Sequence, residues 1–127
     1  MSAIRVLVVD DEFLVRRVLT EILAPHKDVS VVAGAATGDE AISSVGKFQP
    51  DIVVMDIAMP KMDGVAAARE IKRQYPDVKI IGLSEHAPGY NVHAMETAGV
   101  VGVYLKSKAT EELYTAIKKA SGQDCSG

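Results

Sequence analysis

Asp51-Ile-Val-Val-Met-Asp56-Ile-Ala-Met-Pro60-Lys-Met-Asp63-Gly64 is the stretch on which the fold turns. Its apolar residues, several of them β-branched, make a strand-length run, and a carboxylate stands where the run stops. A strand buried on both faces of a parallel sheet reads as such a continuous run, and open α/β sheets bind ligands outside the carboxyl ends of their strands. The pattern therefore presents Asp56 at a strand end. Pro60 forbids a regular ladder beyond it, and Asp63-Gly64 supplies turn chemistry and an N-cap for a following helix.

The same pattern recurs outward along the chain. Ile4 to Val9 is a second apolar run, and it ends in Asp10-Asp11-Glu12. From Phe13, the positions Leu14, Val15, Val18, Leu19, Ile22 and Leu23 predict the apolar stripe of a helix, with Arg16, Arg17 and Glu21 on its other side and Pro25 beyond its end. Val29 to Ala33 predicts a strand broken by Gly34. Thr37-Gly-Asp-Glu40 has the spacing of a capping box before Ala41, Ile42 and Val45, and Gly46 and Pro50 close that helix. Val65, Ala68, Ile71 and Tyr75 mark a third helix ended by Pro76-Asp77.

Val78 to Leu83 predicts a fourth strand leading into Ser84, and Pro88 suits the first turn of a shorter helix carrying Val92 and Met95. Val100 to Leu105 predicts a fifth strand after Gly99, followed by Lys106 and a helix bearing Leu113, Ile117 and Ala120. Five β-α alternations with short connections require parallel strands with helices on both faces, an α/β fold. Residues 1–120 would form the domain and 121–127 a flexible tail or linker.

A chain of 127 residues that is 48% hydrophobic fits one domain with a real core. The formal charge of −3 argues against a basic face gripping nucleic acid. No apolar run approaches the roughly 18 to 20 residues needed to cross a bilayer, so a soluble, cytoplasmic protein without membrane contact is expected. The lone Cys125 has no internal disulfide partner, and His26, His86 and His93 lack the spacing of a metal site.

All strands of a parallel sheet share one carboxyl edge, so Asp10, Asp11, Asp56, Ser84 and Lys106 can converge there. Three crowded carboxylates repel one another unless a cation intervenes, and Lys106 supplies one positive charge. Hard oxygen donors in incomplete number suit Mg2+, with Mn2+ as a substitute. A metal, a carboxylate, a hydroxyl and a lysine together suit phosphoryl transfer, with Asp56 becoming an aspartyl phosphate.

These motifs resemble those of the receiver domains of bacterial two-component response regulators, from Ile4 through about Ala120. Val8-Val9-Asp10-Asp11-Glu12 matches the acidic pair, Asp56 to Gly64 the phosphoacceptor loop, Leu83-Ser84 the hydroxyl position and Leu105-Lys106 the lysine. The resemblance implies a flavodoxin-like (βα)5 three-layer sandwich of strand order 2-1-3-4-5. It implies Asp56 as phosphoacceptor, Asp11, Asp56 and the Ala58 carbonyl as direct Mg2+ ligands, and Asp10 acting through water. Lys106 and Ser84 would contact the phosphoryl group. A histidine kinase or phosphotransfer domain would donate phosphate, and the domain would slowly hydrolyse its own acyl phosphate. Phosphate at Asp56 would reorder Ser84 and the fourth helix, and an output domain or a second copy would meet the face of the fourth and fifth helices.

Three positions depart from that pattern. Val103 stands where receivers usually carry Tyr or Phe, and Tyr104 should face the opposite side of the strand. Glu85 stands where a small residue usually borders the site, and its charge should slow phosphorylation by small donors. Ser107 replaces the usual cis proline after Lys106, which predicts a trans bond or a local rearrangement. Two other classes compete. A hydrolase of the haloacid dehalogenase type wants a second aspartate two residues after the nucleophile, where this chain has Ala58. A pseudo-receiver would be a binding module that never turns over phosphate.

Overall fold

A computed structural model describes residues 3–57, 64–85 and 91–122, the last of these by backbone alone at 91–93. Strands and helices alternate along them as β1 (Ile4–Val9), α1 (Phe13–Leu23), β2 (Val29–Ala35), α2 (Gly38–Phe48), β3 (Ile52–Asp56), α3 (Gly64–Gln74), β4 (Lys79–Ser84), α4 (Asn91–Thr97), β5 (Val100–Leu105) and α5 (Ala109–Ser121). A single 3-10 turn, Lys106–Lys108, joins β5 to α5. The strands pair in parallel in the order β2-β1-β3-β4-β5. This is the flavodoxin-like sandwich that the resemblance implied.

The side-chain alternation of each strand divides the core in two. Leu7, Val9, Val53, Met55 and Ile80 face α2, α3 and α4, where Ala41, Val45, Ala68, Ile71 and Met95 cover them. Ile4, Val6, Val8, Val54 and Ile81 face the other way, against Leu19, Leu23, Leu113 and Ile117 of α1 and α5. The central strand β3 is buried along its whole length, which is why its sequence reads as an unbroken apolar run.

Four sequence expectations need correction. Gly34 does not break β2: it pairs with Val8, and Ala35 still accepts a 3.0 Å hydrogen bond from the Asp10 N–H. Gly46 lies inside α2, where a Cβ would meet the Tyr75 hydroxyl at 2.5 Å, and the helix ends instead at Gln49 in the left-handed region, φ 50°. Ser121 is the last residue of α5, with Gly122 as its left-handed cap. The α1 stripe is shorter than its periodicity suggests, because Leu14 is 70% and Val18 51% exposed while Leu19 and Leu23 are buried. Pro60, Asp63, Pro88, His86 and Cys125 lie outside the described residues.

Half of the predicted capping box forms: the Thr37 hydroxyl accepts from the Glu40 N–H at 3.1 Å, while the Glu40 carboxylate accepts from the N–H of Ala36, one residue before the N-cap, at 2.9 Å. Val103 packs with the α2–α4 layer and Tyr104 with the α1–α5 layer, as strand alternation requires. The Lys106–Ser107 bond is trans and opens the 3-10 turn.

Candidate functional site

Ladder register decides which side chains meet at the carboxyl edge. Val9 pairs with Met55, so the next residues, Asp10 and Asp56, come level. Asp56 pairs with Leu83, and Ser84 with Leu105, so Lys106 follows opposite Glu85. Residues far apart in sequence thereby share one pocket.

Asp10 and Asp56 are buried while Asp11 is exposed, and one carboxylate oxygen of each lies within 4.8 Å of the others. Lys106, whose side chain is 14% exposed, places Nζ 3.1 Å from Asp56 Oδ2, to which it donates a hydrogen bond. The same ammonium lies 2.9 Å from Asp10 Oδ2, close enough for an ion pair yet misaligned for a hydrogen bond. Asp10 Oδ2 is thus buried with no hydrogen-bond donor among the described residues. Asp10 Oδ1 is satisfied by the Glu12 N–H at 2.9 Å.

The ammonium also reaches Glu85 Oε1, at 3.8 Å, although that carboxylate is 62% exposed. Burial works to lower the pKa of Lys106, but the close carboxylates of Asp10 and Asp56 outweigh it and hold the group above the ordinary lysine value. Lys106 is therefore cationic throughout the neutral range. One ammonium faces three clustered aspartates, which leaves an excess of negative charge. An undonated buried oxygen within an all-oxygen set fits a small hard cation.

Gly64, the first residue of α3, sits directly on the end of β3. Its N–H donates to the Ile57 carbonyl at 3.3 Å, and a Cβ there would lie 2.6 Å from Ile57 Cα and 2.9 Å from the Asp56 carbonyl oxygen. Backbone cannot yield as a side-chain tip can. Gly64→Ala is expected to lower stability by about 1–3 kcal/mol through overpacking, read as a lower urea midpoint at unchanged m value.

Each sequence-predicted site residue within the described set, namely Asp10, Asp11, Asp56, Ser84 and Lys106, falls at this edge. The Ala58 carbonyl lies outside the described residues. Sequence reasoning missed Arg16, assigned to the solvent side of α1: its Nη1 donates to the Asp10 backbone carbonyl at 2.7 Å. The available signal was Gly34, a side-chain-free position in a strand beside the acidic turn.

Sequence comparison assigns this fold and edge to a family: the response regulator receiver domain model matches residues 6–118, and the chain belongs to that family. Among its relatives, it is 39% identical to the transcriptional regulatory protein DegU of Brevibacillus brevis over 92% of this chain and 50% of that protein. The response regulator protein VraR of Staphylococcus aureus is 35% identical over 93% of this chain and 56% of its own length. The chain thus spans about half the length of these curated relatives. A two-component response regulator of the LuxR family from Aurantimonas sp. SI85-9A1 superposes with a TM-score of 0.90 at 30% identity, covering 95% of this chain and 86% of that one. No helix of the described residues is long and apolar enough to cross a membrane.

Proposed function

We propose that this receiver domain is a phosphoacceptor switch in which Asp56 takes a phosphoryl group from a phosphohistidine on a histidine kinase or phosphotransfer domain. The observation that carries it is the carboxylate of Asp56 at a strand end, 3.1 Å from Lys106 and within a cluster of three aspartates. Asp11, Asp56 and the Ala58 carbonyl would hold Mg2+, or Mn2+, directly, with Asp10 acting through water. When bound, the cation supplies charge neutralisation for the phosphoryl oxygens.

An Asp56 oxygen attacks phosphorus in line, forming the P–O bond as the P–N bond breaks, and the electron pair leaves with the imidazole. Lys106 carries its positive charge to the equatorial oxygens, and the Ser84 hydroxyl donates to one of them. Burial of Asp56 limits bulk water, which suits an acyl phosphate that persists before slow hydrolysis. Phosphate would draw Ser84 and Lys106 inward and alter the face of α4 and α5 for an output domain, a partner or a second copy. Such a system operates in the cytoplasm.

The deciding experiment is incubation with Mg2+ and acetyl phosphate or beryllofluoride, reading mass gain or the fluorine spectrum. A saturable adduct supports the switch, and no adduct at saturating donor favours a pseudo-receiver. Glu85 supplies a further test, since its carboxylate competes with an incoming phosphate for Lys106 at 3.8 Å. An exposed pair of this kind is worth at most about 1 kcal/mol, so Glu85→Ala is expected to raise the acetyl phosphate labelling rate about two- to fivefold. An unchanged or lower rate would count against that competition.

A further inference from the structure

The Asp10-Asp11 peptide is held from a direction that the phosphoacceptor reading does not use. Arg16, one turn into α1, sends Nη1 back to the Asp10 backbone carbonyl at 2.7 Å. To reach it the side chain crosses β2 at Gly34, where a Cβ would stand 3.4 Å from Arg16 Cδ and 3.6 Å from Nε. An alanine there would just touch the stem, and the further methyls of a valine would press into it. The Phe13 ring lies 5.7 Å from the guanidinium carbon on the outer side. The guanidinium is therefore located by two contacts, along a path that the missing side chain of Gly34 leaves open.

The carbonyl it holds belongs to the peptide that joins the two acidic residues. On the near side of that peptide, the Asp10 N–H donates to Ala35 at 3.0 Å and Asp10 Oδ1 accepts from Glu12 at 2.9 Å. With the carbonyl also fixed, the peptide plane has little freedom to rotate, and the plane sets the direction in which Asp11 leaves the strand. Asp11 is the exposed member of the triad, the one that packing does not place.

We propose that Arg16 is a positioning residue for the cation pocket: its bond to the Asp10 carbonyl, admitted by Gly34, aims Asp11 so that the three aspartates present together to a divalent ion. The proposal rests on the metal-assisted reading above and goes beyond it in assigning the residue that shapes the pocket. Charge alone would give the opposite sign, because a guanidinium near the pocket repels a cation, and its removal would tighten binding.

Sign is therefore the test. Mg2+ is titrated into the unphosphorylated protein, following amide NMR shifts of Asp11, Glu12 and Asp56, with thermal unfolding in chelator measured alongside. Arg16→Met is expected to weaken Mg2+ by about tenfold or more, the range in which residues behind a metal's ligands act. Arg16→Lys, which keeps the charge and one donor, should fall between wild type and Met. Gly34→Val, which leaves Arg16 in the sequence but crowds its path, should reproduce the weakening and shift the Glu12 amide in metal-free protein. Unchanged or tighter Mg2+ binding in Arg16→Met and Gly34→Val would overturn the proposal, and so would a lower Tm with Mg2+ affinity intact. If wild-type protein gave no saturable response at the three aspartates, the metal reading would fall together with this one.

Discussion

Lys106→Met is expected to destabilise the metal-free protein by about 3–5 kcal/mol, the cost of stripping a buried charge of its partner. Two buried carboxylates, those of Asp10 and Asp56, lie 2.9 Å and 3.1 Å from the one ammonium, so the substitution strips both of that charge. Methionine keeps most of the side-chain volume, and the loss is therefore electrostatic rather than a cavity effect. Urea unfolding in chelator measures it. Mg2+ should restore part of the difference by mass action, because it binds the folded pocket and not the unfolded chain.

The pH dependence carries a definite sign. Because the folded pKa of Lys106 is raised, its contribution is complete below the ordinary lysine value and disappears as pH rises through the folded value. Wild type and Lys106→Met should accordingly differ fully at neutral pH and converge only in strongly alkaline solution. A gap that closed near neutrality would contradict the ion-pair account.

Asp56→Asn is expected to abolish covalent labelling, with at least about a thousandfold loss, since the amide has no nucleophilic oxygen of comparable strength. The same substitution leaves Asp10 as the one buried anion beside Lys106, with the exposed Glu85 reaching the ammonium at 3.8 Å. Metal-free Asp56→Asn should therefore be as stable as wild type or more so, by up to about 1 kcal/mol, as like-charge repulsion is relieved. Intact mass after acetyl phosphate treatment and a urea melt in chelator together check both halves. Residual labelling at the wild-type rate would move the acceptor elsewhere.

The alternation of strands and helices was legible in the sequence because β3 and β1 are buried on both faces and read as apolar runs ending in carboxylates. Asp10, Asp56 and Lys106 were legible for the same reason, since parallel strands send their ends to one edge. Strand order was not, because periodicity records which faces are buried and not which strands are neighbours. Leu14 and Val18 misled because helical spacing reports amphipathicity without saying how much of the stripe is covered. Gly34 and Gly46 misled as breakers, being sites where Arg16 and Tyr75 approach closely. Arg16 escaped notice because a charge on the polar side of a helix gives no sign of a backbone partner six residues back.

The pocket draws on β1, β3 and the turn after β5, and Lys106 lies 50 residues from the aspartate it touches. No short fragment of the chain can hold such a pocket, because the contacts of Lys106 with Asp10 and Asp56 join distant strand ends. Its assembly belongs to the last, long-range stage of folding, when loop-closure entropy has been overcome and the ladders are in register. Ligand capture at this edge therefore reports the integrity of the entire sheet, and slippage of β5 by a single residue would withdraw the ammonium and turn Tyr104 toward the opposite layer.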